Sequence, residues 1–324
     1  MAERVAEMHA NPPDPNSVYK HPILKYLIRI DLDLSGLCNK QCTFCPRSLT
    51  HKPTYPNINK HMSLETVEIV LKELRAIDFA GWFELAGRGE STLHKHFYEV
   101  VDMVTAQPRK WRVRLTTNGH KIDEWWPRVA HKLDDLYLNS YDSLEQYKER
   151  LEKYPKLPRG QLIQHFYKQD GLTVEEINKM PPHQENDGVW YNYAFNNRAG
   201  WFSNQYVKEP CWHPMRQIFI DYEGNYQMCC NDWTYQIKIG NIHERGLIDM
   251  YVNDPKVNRI RWQLLNNNRQ NIKPCSMCTD TQGRSKGVTK LIQHFRTTDV
   301  YKFHVCKKSA GEGKSYDEDL LNGK

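Results

Sequence analysis

Residues 27–48 read LIRIDLDLSGLCNKQCTFCPRS. The first eight alternate apolar and polar side chains with the two-residue period of a strand. Directly after them come Cys38, Cys42 and Cys45, three thiols spaced C-x3-C-x2-C. Three thiolates on one loop can converge on three corners of a tetrahedral or cubane metal centre. A zinc site of that kind normally recruits a fourth Cys or His. The loop offers none, and His51 and His61 are the nearest histidines. The stretch MSLETVEIVLKELRAID (62–78) follows, with Ser63 suited to an N-cap and Leu64, Val67, Val70, Leu71 and Leu74 on one helical face. The unit is a strand, a long functional loop and a helix.

That unit recurs. WFELAG (82–87) precedes a helix near 94–107, WRVRLTT (111–117) one near 120–133, and LYLNSY (136–141) one near 143–153. A weaker pair, QLIQHFY (161–167) and TVEEINKM (173–180), leads to VWYNYAFN (189–196). Six strands alternating with five helices predict an α/β fold, with parallel pairing through right-handed crossovers and an open or closed barrel. Chemistry in such a barrel sits at the C-terminal ends of the strands. The cysteine loop, AGRGES, TTNG, NSYD and NNRAG all fall there.

A chain of 324 residues is long for one compact domain, so a large domain with a smaller companion is expected. Charged residues make up 26% and hydrophobic ones 39%, and no apolar run approaches a membrane span. The N-terminal MAERVAEMHANPPDPNS carries acids and has no apolar segment of a signal peptide, so it reads as a short helix and a loose arm. SAGEGKSYDEDLLNGK at the other end reads as a polar tail. These features predict a cytoplasmic protein. In a reducing compartment the nine cysteines are metal ligands or catalytic groups rather than disulfides. The net charge of +6 is small and scattered, as in PRKWRVR and YKERLEKYPKLPR, so neither nucleic acid nor membrane is an expected partner.

Cys38, Cys42 and Cys45, with Phe44 before the last of them, resemble the signature loop of the radical S-adenosylmethionine (SAM) enzymes. GRGES resembles that family's Gly-Gly-Glu motif after the second strand, with TTNG after the third and NSYD after the fourth. The resemblance implies a partial (β/α)6 TIM-like barrel as the radical SAM core. It implies a [4Fe-4S] cluster on the three cysteines, whose fourth iron stays open to chelate the amino and carboxylate groups of SAM. An all-thiolate cluster sits at low potential, suited to giving an electron to the sulfonium. Methionine and a hydrogen-abstracting 5′-deoxyadenosyl radical would result, with an external donor such as flavodoxin or ferredoxin supplying the electron. Gly87 and Gly89 would allow close backbone approach, Glu90 would orient the methionine ammonium, and Asn118 and Ser140 would contact SAM. Arg88 between the glycines and Ser91 in place of the common proline depart from the family's pattern. Plainer readings stand beside these: the glycines suit a tight turn, and polar residues at strand ends cap helices. Arg198 in NNRAG is the candidate catalytic side chain, holding an anionic group or acting on substrate; a surface arginine is the alternative.

After about residue 200 the pattern changes. RQIFIDYEGNYQMCC reads as a hairpin turning at Glu223 and Gly224, followed by the helical stretch RGLIDMYVNDPKVNRIRWQLLNN and CSMC. Cys211, Cys229 in G-x4-C from Gly224, and Cys275 and Cys278 in C-x2-C resemble the auxiliary-cluster region of SPASM and shorter twitch radical SAM enzymes. The C-x2-C-x5-C-x3-C run of the full SPASM set is missing, so the resemblance implies one auxiliary [4Fe-4S] cluster on those four cysteines. Zinc is the other reading of the C-x2-C pair. Neighbouring strand residues point to opposite faces, so Cys230 reads with Cys306 as a buried or free thiol. The expected organisation is an arm (1–26), the barrel (27–200), a small α+β auxiliary-cluster domain (201–285) and a C-terminal extension (286–324).

The twitch resemblance points to enzymes that oxidise or remodel sugar-like and aminocyclitol molecules, the auxiliary cluster accepting the second electron. The alternative is a peptide or protein maturase. Such enzymes often carry a long recognition domain ahead of the barrel, and residues 1–26 are short for one. Aromatic stretches such as EWWPR and CCNDWTY suit polar rings and suit ordinary core packing equally.

Overall fold

A computed structural model describes residues 18–42, 45–48, 60–166, 184–186, 189–191, 198–200, 209–280 and 286–301. Five parallel strands lie side by side in chain order: β1 (Arg29–Leu32), β2 (Trp82–Leu85), β3 (Arg112–Thr117), β4 (Asp135–Ser140) and β5 (Gln161–Phe166). Between them run α1 (Leu64–Ala76), α2 (Phe97–Thr105), α3 (Ile122–Val129) and α4 (Leu144–Lys153). Ser63 caps α1 as expected, its hydroxyl accepting from the Thr66 N–H at 3.0 Å. The sixth strand is present as β7 (Val189–Tyr191), parallel to β5, and β6 (Gln184–Asn186) pairs with it antiparallel. β6 has no counterpart in the sequence expectation. The helix expected at 173–180, the N-terminal helix, Phe44 and Cys306 lie outside the described residues.

On the free side of β1 stands β8 (Gln217–Ile220), parallel to it with Arg29 opposite Gln217 and Asp31 opposite Phe219. β9 (Asn225–Gln227) and β10 (Lys238–Asn241) continue antiparallel, completing a ten-stranded sheet ordered β10-β9-β8-β1-β2-β3-β4-β5-β7-β6. The β8–β9 turn falls where expected, with Gly224 at φ +82° and the Asp221 carboxylate accepting from the Glu223 and Asn225 N–H groups at 3.0 Å each. This hairpin occupies the edge that β1 would otherwise leave unpaired.

After a short helix, α5 (His213–Arg216), and the hairpin, the expected single helical stretch is two helices, α6 (Leu247–Asn253) and α7 (Pro255–Leu265). The break has a plain cause. Pro255 cannot donate to the preceding turn, and Asp254 caps the new helix by accepting from Lys256 and Val257 at 2.9 and 3.2 Å. A further helix, α8 (Lys286–Thr297), packs Phe295 edge-on against Tyr26 and Trp212 at 4.7 and 5.3 Å between centroids.

The two faces of the parallel strands divide sharply. Ile30, Leu32, Phe83, Leu85, Val113, Leu115, Leu136 and Leu138 are fully buried and form the core with the helices, each such side chain contributing about 1.5–3 kcal/mol. The alternate positions carry charge. Arg29 bridges Asp31 (2.5 Å) and Glu84 (3.0 Å), and Arg114 bridges Glu84 (3.6 Å) and Asp135 (3.0 Å). Pairing is what makes charge tolerable there, since an isolated buried ion would change protonation state instead.

Candidate active site and metal centres

Beyond the C-terminal ends of β1–β4 opens a cavity of about 280 Å³. Cys38, Cys42 and Cys45 line it, with Gly87, Arg88, Gly89, Glu90, Asn118 and Arg198. The cysteine loop is pinned from outside itself. Asn39 accepts from the Asn118 amide at 2.8 Å and Lys40 pairs with Asp142 at 2.5 Å, tying the loop to the tops of β3 and β4. Within it, the Cys45 N–H donates to the Cys42 carbonyl at 3.0 Å. Cys42 is buried, and Cys38 and Cys45 are half-buried. Burial pushes the Cys38 and Cys45 thiols up, while Arg47 pulls both the other way and Arg198 also acts on Cys45.

The glycines of GRGES are required by packing. A Cβ on Gly87 would collide with the Asp33 carboxylate, and one on Gly89 with the Ser35 carbonyl oxygen. Their place against β1 therefore accounts for both, whatever else approaches them. Glu90 is 3% exposed. One of its oxygens accepts from the Thr117 hydroxyl at 2.6 Å and the Thr92 N–H at 3.1 Å, and the other accepts from the Asn118 N–H at 2.8 Å. It thus braces the end of β3 from the cavity wall. Arg198 borders the cavity with φ +49°.

Ser140 is not brought to the cavity wall. It is fully buried, and its hydroxyl accepts from Arg150 at 3.0 Å. Arg150 also donates to the Asn118 and Gly119 carbonyls at 3.1 and 3.3 Å, clamping the ends of β3 and β4 together. The neighbours of Ser140, Asn139 and Tyr141, line the cavity in its place. Sequence reading also passes over Arg29, Asp31 and Thr116, which line the cavity floor. Their signal was present in the alternation of RIDLDL and RVRLTT: charge on every second residue of a strand buried on both faces marks a polar interior.

Four thiols from the C-terminal elements come within electrostatic reach of one another. Cys211 precedes α5, Cys229 follows β9, and Cys275 and Cys278 belong to a turn after α7. Burial raises Cys211, Cys275 and Cys278, and a hydrogen bond with Cys230, followed by burial, raises Cys229. Cys211 is pushed up to about 12 and Cys278 to about 11, with Arg269 opposing in both. Cys211 and Cys278 each raise Cys229 and Cys275 further by their negative charge. Such thiols hold their protons unless a metal displaces them. The alternation argument for Cys229 and Cys230 does not apply, because β9 ends at Gln227. The two still divide: Cys230 borders the cavity and Cys229 does not. Among the described residues no three Cys, His, Asp or Glu side chains close to the spacing of a single ion. A cluster asks for something different, since its thiolates bind separate irons. Three thiols beside a cavity with no fourth Cys or His grouped with them among the described residues, and a group of four thiols of which Cys211 and Cys278 are buried and Cys229 and Cys275 half-buried, have the donor chemistry of an open and a fully ligated cluster; His51 lies outside the described residues.

A chain of buried polar groups runs between the sites. Gln217 donates to Asp31, and His213 Nδ1 donates to Gln217 at 2.8 Å. His213 Nε2 donates to Asp280 at 3.3 Å, and the Asp280 N–H donates to Cys278 Sγ at 3.3 Å. Burial raises the Asp31 carboxyl to about 7, against the pull of Arg29.

Comparison with known proteins agrees with this arrangement. The profile of the Radical SAM superfamily matches residues 33–161, and that of the SPASM iron-sulfur cluster-binding domain matches residues 211–279. The S-adenosyl-L-methionine-dependent 2-deoxy-scyllo-inosamine dehydrogenase of Niallia circulans is 24% identical over 260 residues, covering 79% of this chain and 94% of that protein. A GTP 3′,8-cyclase of Klebsiella pneumoniae is 28% identical over 116 residues, 35% of this chain and 34% of the cyclase. The crystal structure of BtrN in complex with AdoMet and 2-DOIA superposes with a TM-score of 0.64 at 18% identity, covering 80% of this chain and 96% of BtrN. An open conformation of BtrN gives 0.56 at 17%, covering 81% and 97%. The two matched domains imply SAM and [4Fe-4S] clusters as cofactors, one cluster being auxiliary. No helix among the described residues is long and apolar enough to cross a membrane. The chain belongs to the radical SAM superfamily, as an enzyme whose barrel is followed by a SPASM iron-sulfur domain.

Proposed function

We propose that this enzyme oxidises or remodels a small polar molecule of the sugar or cyclitol class, starting from hydrogen abstraction in the cavity at the head of β1–β4. Cys38, Cys42 and Cys45 would hold the SAM-binding [4Fe-4S] cluster, and Cys211, Cys229, Cys275 and Cys278 the auxiliary one. When bound, the first cluster and SAM supply one electron and a 5′-deoxyadenosyl radical.

The protein's own residues shape the rest. Gly87, Gly89, Glu90 and Asn118 form the wall against which SAM would lie, with Glu90 fixing the end of β3. Arg198, beside Cys45, would hold an anionic group or act on the substrate. The floor of Arg29, Asp31, Thr116 and Asn139 presents donors and acceptors of the kind a polyhydroxylated ring requires. The observation that carries the reading is that these polar side chains line the same cavity as the three thiols. The likeness to the 2-deoxy-scyllo-inosamine dehydrogenase over 79% of the chain points the same way. An external donor such as flavodoxin or ferredoxin would supply the electron. Residues 27–200 and 201–285 would divide the work, the first starting the reaction and the second accepting the electron that leaves.

The test is anaerobic reconstitution with iron and sulfide, followed by SAM under strong reductant. Wild-type protein is expected to hold two clusters and form 5′-deoxyadenosine. Replacing Cys38, Cys42 and Cys45 together by alanine should abolish that product and leave one cluster. SAM cleavage by the triple variant would overturn the ligand assignment. Deuterated cyclitols and sugars, set against deuterated peptides, should label 5′-deoxyadenosine in the first class only.

A further inference from the structure

Arg88 stands between the two glycines, where the chain departs from the family's motif, and it borders the cavity. Its side chain is 2% exposed. The guanidinium lies over the rings of Tyr235, Phe219 and Trp233, at 4.2, 4.6 and 5.8 Å from their centroids. Nη2 donates to the Asp232 carbonyl at 2.8 Å. On the barrel side, the Arg88 N–H donates to Asp33 at 3.0 Å and Nη1 stands 3.9 Å from the same carboxylate. One residue thus belongs by its backbone to the GRGE loop on the cavity wall and by its side chain to the turn after Cys229.

That turn is anchored to the auxiliary thiols. The Asp232 N–H donates to the Cys229 carbonyl at 3.1 Å, and the Asn231 N–H donates to Cys229 Sγ at 3.4 Å. The Asn231 amide donates to Asp280 at 2.9 Å, and the Asp280 N–H reaches Cys278 Sγ. The Asp232 carboxylate closes the turn by accepting from Gln236 and Ile237 at 3.1 and 2.7 Å. Ligation by Cys229 and Cys278 would therefore fix both anchors of the segment that grips Arg88. On the other side the loop has no slack. Gly87 and Gly89 lie hard against Asp33 and Ser35, the Glu90 N–H donates to the Leu37 carbonyl at 2.7 Å, and Glu90 holds Asn118.

We infer that Arg88 is a positioning residue that couples the two metal sites: a filled auxiliary site, acting through the Cys229–Ile237 turn, holds the GRGE loop in its SAM-binding shape. SAM then binds more tightly when the auxiliary cluster is present, and by thermodynamic reciprocity bound SAM retains that cluster. This rests on the assignment of Cys211, Cys229, Cys275 and Cys278 as auxiliary ligands, and it requires no knowledge of the substrate.

The experiment measures SAM affinity, by perturbation of the cluster's electron paramagnetic resonance signal, in four reconstituted proteins. These are wild type, Cys275→Ala/Cys278→Ala, Arg88→Met, and the combination. Removing the auxiliary site should weaken SAM binding about tenfold, in the range of site-to-site couplings. Arg88→Met should weaken it comparably, and the combination no further. In the reverse direction, SAM should slow removal of auxiliary iron by a chelator in wild type and not in Arg88→Met. Wild-type affinity in the auxiliary-site variant, or losses that multiply in the combination, would overturn the coupling. Should Arg88→Met fail to fold, Arg88→Lys keeps a donor and a charge without the planar stacking; it should show a smaller loss, again absent once the auxiliary site is gone. A wild type that bound no SAM would instead remove the cofactor reading on which the coupling rests.

Discussion

Cys38, Cys42 and Cys45 arrive together on one loop of eight residues, at the rim of a cavity and partly open to it. Cys211, Cys229, Cys275 and Cys278 are gathered from the start of a helix, the end of a hairpin and a turn. Among the described residues the first set has no fourth ligand and lines a cavity where a small molecule could supply one. The second would close on itself with four thiols. On the proposed assignment, a site that would exchange a ligand at every turnover is built on a loop braced from without by Asn118 and Asp142. A site that would store or pass electrons is built into the packing of the fold.

The largest expected difference follows from that contrast. Replacing Cys275 and Cys278 by alanine should remove about half of the reconstituted iron while 5′-deoxyadenosine still forms at saturating SAM. The same losses in the first set stop the product altogether. Iron content unchanged by the Cys275→Ala/Cys278→Ala replacement would break the comparison, because the second site would then hold no cluster.

Contiguity also explains what the sequence could tell. Strand–loop–helix units and the C-x3-C-x2-C spacing are local, so β1–β5, β7, the Ser63 cap and the Gly224 turn could be read from neighbours in the chain. The seating of β8 against β1 could not, since nothing in RQIFI names its partner across nearly two hundred residues. The same holds for Arg150, whose clamp on β3 and β4 is a tertiary fact about a residue that reads as one more charge on a helical face. Ser140 shows the same limit from the other side: a polar residue at a strand end reads as a SAM contact, whereas in the fold its hydroxyl accepts from Arg150. Arg88 was visible as an oddity, and only the fold supplies the rings around it.

A smaller effect separates the sites by packing. Gly89→Ala places a methyl group against the Ser35 and Leu37 carbonyl oxygens, neither of which can yield without moving the strand end beside the cysteine loop. Overpacking of this kind costs about 3 kcal/mol. The variant should unfold at lower denaturant and reconstitute the first cluster poorly, with auxiliary iron retained. Equal loss of iron from both sites would mean that the two assemble as one unit.

The smallest effect distinguishes the sites by acid, through two buried histidines with opposite shifts. His94, 3% exposed, donates from Nε2 to the Met62 carbonyl at 2.8 Å and accepts at Nδ1 from the His96 N–H at 3.1 Å. Burial lowers it to about 4, with His61 and His96 acting in the same direction against these hydrogen bonds. In the unfolded chain it titrates near 6.5, so between those values the unfolded state binds the extra proton. Stability from this group is complete above 6.5 and is lost as pH falls toward 4. At pH 5 the loss is about 2 kcal/mol. His213 behaves the other way: burial would lower it, but Asp280 raises it above the ordinary value, so acid favours its folded form. Acid should therefore loosen the GRGES side of the molecule and spare the auxiliary side. Anaerobic unfolding at pH 7 and pH 5 should show a drop in wild type that His94→Gln removes, because glutamine keeps a donor for Met62 and cannot be protonated. A drop of the same size in the variant would assign the acid sensitivity to some other group.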